Sequence, residues 1–280
     1  MDDSPLTVRW PKAERRPKQD EALLTSLAER ASPQINQTKS DQTQLSHDAS
    51  GRATAAVVAQ GTCIHAVNGV ELVCCPDGVV YWPATETLIV ADLHLEKGSS
   101  FAARGQLVPP YDTRVTLRRL RALLDLWQPK RVIALGDSFH DETASERLPD
   151  DALAALQSLC DAHAFVWIAG NHDPKPPVGM KGAFTSELRE GGLIFRHEPS
   201  SEDCLGEIAG HLHPKARLYR KGRVVRRACF AASRTRMILP SFGAYTGGLN
   251  VFHSAFDGLF DERQFHALMC GKDQVYRIGA

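Results

Sequence analysis

Phe165-Val166-Trp167-Ile168-Ala169-Gly170-Asn171-His172-Asp173 is the stretch that decides the fold. Five apolar or aromatic residues run straight into a glycine and three polar side chains. An uninterrupted apolar run of this length reads as a strand buried on both faces, the kind found in parallel sheets. A glycine at its end allows a tight turn and close backbone approach. In open α/β sheets, chemistry is carried just beyond the carboxyl ends of such strands.

The same pattern occurs upstream. Leu88 to Ala91 runs into Asp92-Leu93-His94, and Arg131 to Leu135 runs into Gly136-Asp137. Between these runs, Val115, Leu120, Leu123, Leu124 and Trp127 recur at helical spacing within Thr113 to Trp127, and Pro129 stops the helix. Asp150 or Asp151 can cap a second helix reaching about Ala162. Leu72 to Cys75 and Val79 to Trp82 read as strands joined by Pro-Asp-Gly. Downstream come short strands: Leu193 to Arg196, Glu207 to Ala209, Ala216 to Tyr219, Ala228 to Ala231 and Met237 to Leu239. Strand-helix alternation followed by many strands implies an α/β core with stacked sheets. Trp82, Trp127 and Trp167 sit in apolar surroundings and read as core.

Residues 1–58 differ: they are polar, poor in aromatic and β-branched residues, and unable to bury enough apolar surface to offset ordering. A disordered or loosely ordered extension is expected there, with one short helix around Leu23, Leu24 and Leu27, and a single domain over 59–280. The formal net charge is zero, so any nucleic-acid surface must be local. Seven cysteines without a CxxC pair argue against a disulfide framework or a thiolate zinc site. Reduced thiols fit a cytoplasmic setting. No apolar run approaches the roughly 20 residues needed to cross a bilayer, and no membrane association is expected.

Five motifs place metal-binding side chains just past predicted strands: Asp92-Leu93-His94, Gly136-Asp137, Gly170-Asn171-His172-Asp173, His197 and Gly210-His211-Leu212-His213. Strand alternation would turn Asp92 and His94 to one side, and likewise His211 and His213. A lone Asp-x-His is commonplace and Gly-Asp is usually a turn, whereas Gly-Asn-His-Asp is moderately specific and His-x-His adds more. All five in this order are not explained by turns and caps. Carboxylate, imidazole and amide donors without thiolate suit manganese first, with iron or zinc as alternatives. Two such ions roughly 3.5–4 Å apart can clamp the oxygens of a phosphoryl group and activate water.

These motifs resemble the calcineurin-like metallophosphoesterase superfamily over about residues 65 to 255. The resemblance implies a four-layer α-β-β-α sandwich and a phosphoric ester hydrolase. It implies that Asp92, His94 and His213 hold one metal, that Asp137 bridges, and that Asn171, His197 and His211 complete the second. His172 would contact the scissile phosphate and assist the leaving oxygen, and Asp173 would orient it. Segments 91–98, 136–141, 210–214 and 239–248 are similar to bacterial ligase-associated DNA-damage-response endonucleases (PdeM-like). That closer likeness implies a DNA phosphodiester substrate, a repair setting and ligase-associated partner proteins. The alternatives are a small phosphomonoester or pyrophosphate substrate, or a non-catalytic scaffold on the same fold. Retention of every ligand position and of His172 disfavours the scaffold.

Two further features bear on substrate. His140, three residues after Asp137, could face the site as an accessory phosphate contact or be a bystander. From Pro214 to Pro240 the chain has nine basic residues and no acidic one, with Lys221-Gly222 as a natural hairpin turn. Arg223, Arg226 and Arg227 are the candidates to bind a phosphate backbone; a solvated hairpin face is the competing reading. Lys97 and Arg104 belong to a stretch expected to form a rim loop, and His65, His163, His253 and His266 are expected not to be ligands.

Overall fold

The computed structural model describes residues 61–106, 108–176, 178–220 and 223–279. The N-terminal extension, its short helix and the Lys221-Gly222 turn lie outside the described residues.

Two mixed sheets stack face to face. The first holds β1 (Cys63–Val67), β2 (Val70–Cys74), β3 (Val80–Trp82), β4 (Thr87–Val90), β5 (Arg131–Leu135), β6 (Ala164–Ile168) and β7 (Ala183–Thr185) in sequential order. Its first four strands pair antiparallel, and β4 to β7 are parallel. The second holds β8 (Leu188–Glu190), β9 (Leu193–Phe195), β10 (Glu207–Ala209), β12 (Arg223–Ala232), β13 (Arg236–Ile238), β14 (His266–Cys270) and β15 (Val275–Gly279), in the order β15-β14-β12-β13-β10-β9-β8. β11 (Lys215–Arg220) pairs with the first half of β12 as a projecting hairpin, Arg220 opposite Arg223.

The crossovers between parallel strands carry the helices. α1 (Lys97–Ala103) and α2 (Asp112–Trp127) link β4 to β5, and α3 (Asp150–Ala162) links β5 to β6. α2 buries Leu120, Leu123, Leu124 and Trp127 against the outer face of the first sheet as their spacing predicts, together with Leu117, whereas Val115 is exposed. α1 occupies the stretch expected to be a rim loop. Gly98 and two serines disfavour a helix there, but the Gly98 N–H donates to Asp112 Oδ2 at 2.9 Å and Thr113 Oγ1 donates to Glu96 Oε1 at 2.8 Å, tying the turn to α2.

Between the sheets lies the main core, where Ile89, Ile133, Leu135 and Ile168 meet Phe195, Ile208, Phe230, Met237 and Leu239. Burying each such side chain contributes roughly 1.5–3 kcal/mol. Trp82, Trp127 and Trp167 are all buried, as read from the sequence. The α-β-β part of the expected sandwich is formed by these layers. The outer face of the second sheet is covered by a loop that places Val251, Phe256 and Phe265 on Ile238, Ala267 and Met269, with a 3-10 turn at Ser254–Phe256. All seven cysteines are free, and among the described residues no helix is long and apolar enough to cross a membrane.

Candidate metal centre

The polar ends of β4, β5, β6, β9 and β10 converge. Asp92, His94 and His213 form one group of donors and Asp137, His197 and His211 another; within each group the donor atoms lie within 4.8 Å of one another. His94 Nε2 is 3.3 Å from His213 Nε2, and His213 Nε2 is 3.3 Å from Asp92 Oδ1. His197 Nε2 is 2.9 Å from Asn171 Oδ1 and 3.2 Å from His211 Nδ1, which is itself 3.0 Å from Asn171 Oδ1. Asn171 therefore belongs with the second group. Asp137 faces both: Oδ1 is 3.3 Å from His197 Nε2 and Oδ2 is 3.9 Å from His94 Nε2.

The donor set fits two cations. Metal bonds of about 2.1 Å at right angles would put neighbouring donors about 3 Å apart. Asp92 and Asp137 are buried, and among the described residues neither is paired with a lysine or arginine. Burial pushes His94 down to about 2, which leaves its imidazole neutral with a lone pair to offer. Burial also opposes charge on His197, but the carboxylates of Asp137 and Asp92 hold it up to about 9, a proton where a cation would sit. The His197 ring is aimed by Nδ1, 2.9 Å from the Leu135 carbonyl oxygen, so Nε2 faces the cluster.

Convergence of Asp92 with His94 does not come from strand alternation. β4 ends at Val90, and Asp92 (φ 54°), His94 (φ 44°) and Glu96 (φ 63°) are all left-handed, with Leu93 and Leu95 buried between them. Asp137, His211 and His213 share that conformation. It costs on the order of 1–2 kcal/mol per residue, which the surrounding core must offset. Gly170 is required for a different reason: a Cβ there would lie 2.2 Å from the Asp137 nitrogen and 2.3 Å from its Oδ1.

Asp173 sits elsewhere than expected. Its carboxylate does not orient His172. Oδ1 accepts the N–H of Asp137 (2.9 Å) and of Gly170 (3.1 Å), and Oδ2 accepts the N–H of Ser138 (2.8 Å) and of Phe139 (3.1 Å). Adjacent side chains diverge at the turn, so Asp173 clamps the loop that carries Asp137. Burial raises its carboxyl up to about 7, while the four N–H donors favour the charged form. Asp173→Asn puts an NH2 against backbone donors. It is expected to weaken manganese affinity about 10–100-fold, as loss of a ligand-orienting partner does. Isothermal titration calorimetry checks this, and unchanged affinity with unchanged Tm would remove the clamp from the site.

His172 is half-exposed over the centre, Nε2 3.9 Å from Asp137 Oδ2. Its backbone N–H donates to Asp137 Oδ1 at 2.9 Å. His140 stacks on it at 5.2 Å and 16°, with Nδ1 3.5 Å from His94 Nδ1. Burial pushes His140 down to about 4, and its ring packs against His94 and His172. His65, His163, His253 and His266 bond to backbone and belong to neither donor group.

The basic strip divides. Arg226 and Arg227 line an open cleft together with His213, while Arg223 stands at the hairpin end and does not line it. Arg236 is buried: it pairs with Glu207 through Nε and donates to the carbonyls of Leu259 (2.7 Å), Ser200 (2.8 Å) and Glu202 (2.8 Å). It is a strut of the second sheet. Arg119, on α2, belongs to none of the motifs, yet it lines the same cleft and stacks on Phe242 at 4.3 Å.

A model of the calcineurin-like phosphoesterase family matches residues 86–223, a segment holding every residue of both donor groups together with Asn171, His172 and Asp173. Among solved structures, that of Pseudomonas putida nuclease MPE aligns with a TM-score of 0.60 and 27% identity, over 77% of this chain and 100% of its own. Yfce, a phosphoesterase from E. coli, aligns with a TM-score of 0.34 and 12% identity, over 69% of this chain and 98% of its own. No curated protein matches.

Proposed function

We propose that this chain, a metal-dependent phosphoric ester hydrolase built on a calcineurin-like phosphoesterase domain, cleaves phosphodiester bonds in DNA. The observation that carries the DNA reading is the shared cleft: Arg226 and Arg227 open onto the same space as His213, so an extended polyanion can reach the donor groups. The 27% identity to a structure described as a nuclease supports it.

In this reading Asp92, His94 and His213 would hold one ion, Asn171, His197 and His211 would hold the second, and Asp137 would serve both. This oxygen and nitrogen set suits manganese, iron or zinc, and manganese is the ion we propose. The bound pair supplies charge neutralisation at the phosphate and lowers the pKa of attacking water. The chain does the rest. Asp173 and the His172 N–H fix the Asp137 carboxylate, and the Leu135 carbonyl fixes His197. The exposed His172 imidazole lies where it can give a proton to the departing oxygen or balance its charge.

Likeness of the 91–98 and 239–248 segments to ligase-associated endonucleases supports a cytoplasmic role in DNA repair beside ligase-associated proteins. Affinity capture after DNA damage that repeatedly recovers no ligase-associated protein counts against that setting. The chemical reading is tested with manganese and single-stranded, duplex and nicked DNA beside a phosphomonoester panel. Cleavage of internal diester bonds is expected. Turnover confined to monoesters would reassign the enzyme to small phosphorylated substrates.

A further inference from the structure

The two donor groups open onto different surroundings. A cleft of about 430 Å³ adjoins the Asp92, His94 and His213 group, and its walls carry Arg119, Lys215, Arg226 and Arg227. One acidic residue, the exposed Asp77, also lines it. Arg119 is held in place by its stack on Phe242 and by donating to the carbonyls of Phe242 (2.9 Å) and Asp77 (3.3 Å). Arg226 donates to the Gly248 carbonyl at 2.7 Å. Gly248 presses against the metal-ligand turn, since a Cβ there would lie 2.3 Å from the His213 oxygen. Among the described residues none of the four cations forms an ion pair with a carboxylate. Two of them, Arg119 and Lys215, are partly buried. Cations partly removed from water without a counter-ion carry a standing desolvation cost that an anion would relieve.

At the other donor group, a cleft of about 420 Å³ adjoins Asn171 and His197. Its walls carry Glu187, Glu198 and a single arginine, Arg196. That arginine is already taken: Nη2 reaches Glu187 Oε2 at 2.5 Å and Nη1 lies 3.4 Å from Glu207 Oε1. A phosphate entering there meets carboxylates and no available cation.

We propose that the cleft between Arg119, Lys215, Arg226 and Arg227 seats the phosphate next to the scissile one, and that the enzyme grips its polynucleotide on this side only. The inference rests on the phosphodiesterase reading above and gives it a direction. A strand runs from the metal centre past His213 toward the hairpin, and nothing beyond the scissile bond on the Glu187 and Glu198 side need carry charge. Ends and flaps with a single flanking phosphate would then be as well held as long chains.

Binding is read first, in EDTA, where no turnover occurs, by fluorescence anisotropy of a labelled oligothymidylate. Reversing Arg226 and Arg227 together (R226E/R227E, both exposed) is expected to weaken binding about tenfold or more and to lower the salt slope by about 1. Lys215→Gln, a neutral change, guards against misfolding and is expected to shift affinity the same way by a smaller factor. Unchanged affinity in both variants overturns the proposal. The second measurement uses the manganese-loaded wild type and thymidylyl-thymidine with one extra phosphate at its 5′ end or at its 3′ end. One isomer is expected to gain about tenfold in kcat/KM over the unphosphorylated compound, and R226E/R227E to erase that gain. Equal gains from both isomers overturn the one-sided grip. If no diester is cleaved while charge reversal still weakens binding, the phosphodiesterase reading fails and the anion cleft stands.

Discussion

Asp137→Asn is expected to drop the metal content from two ions per chain to one or fewer and to lower turnover on the order of 10³-fold. The reason is position. The carboxylate is buried, with Oδ1 toward His197 and Oδ2 toward His94, so both donor groups lose an anionic ligand when it becomes an amide. A bound ion is worth several kcal/mol of transition-state stabilisation, and each 1.36 kcal/mol is a factor of ten in rate. The change is nearly isosteric, and the N–H donors that hold the loop act on Asp173 through Asp137's own backbone, which remains. Folding should therefore survive. A second readout separates lost metal from lost structure. Ligand binding raises stability by about 2.7 kcal/mol at a hundredfold excess over Kd, so added manganese should raise the wild-type Tm and raise the variant's far less. Two ions per chain by elemental analysis, with undiminished turnover, would exclude Asp137 from the centre.

Much of this architecture is readable from pattern alone, for physical reasons. The strands β4, β5 and β6 are apolar runs that lead to a glycine or a polar ligand, and α2 repeats its leucines at helical spacing before Pro129. Where the reading fell short, tertiary contacts had replaced local signals. β1 contains His65, whose ring is satisfied by the Ser233 carbonyl 168 residues away, and β7 and β8 are only three residues long. α1 exists because Asp112 and Thr113 hold its first turn. The donor residues were legible because their chemistry is unusual in combination. Their supports were not. Asp173 stands next to His172 in sequence, yet the turn sends it to four backbone N–H groups. Arg119 looks like one more surface arginine of an amphipathic helix, and only its packing on Phe242, 123 residues on, brings it to the cleft.

His172→Ala should do the opposite of Asp137→Asn: keep the metal and lose the chemistry. Its imidazole is not in either donor group, and 42% of the side chain is exposed. What it gives Asp137 is a backbone N–H at 2.9 Å, which alanine also provides. Metal content and Tm are therefore expected to stay near wild type. Turnover is expected to fall about 10²–10⁴-fold, the range for removing a group that moves a proton in the transition state. Leaving-group dependence then distinguishes its two proposed roles. Nitrophenolate departs readily without a proton, whereas a nucleoside alkoxide does not. A proton donor at His172 predicts a small defect on a nitrophenyl diester and a large one on a dinucleotide. A charge stabiliser predicts similar losses on both. The stacked His140 ring provides an internal comparison, since it packs on His94 and His172 and belongs to neither donor group. His140→Ala is expected to reduce turnover less than His172→Ala on the dinucleotide, and wild-type rates from His172→Ala on both substrates would take that residue out of the mechanism.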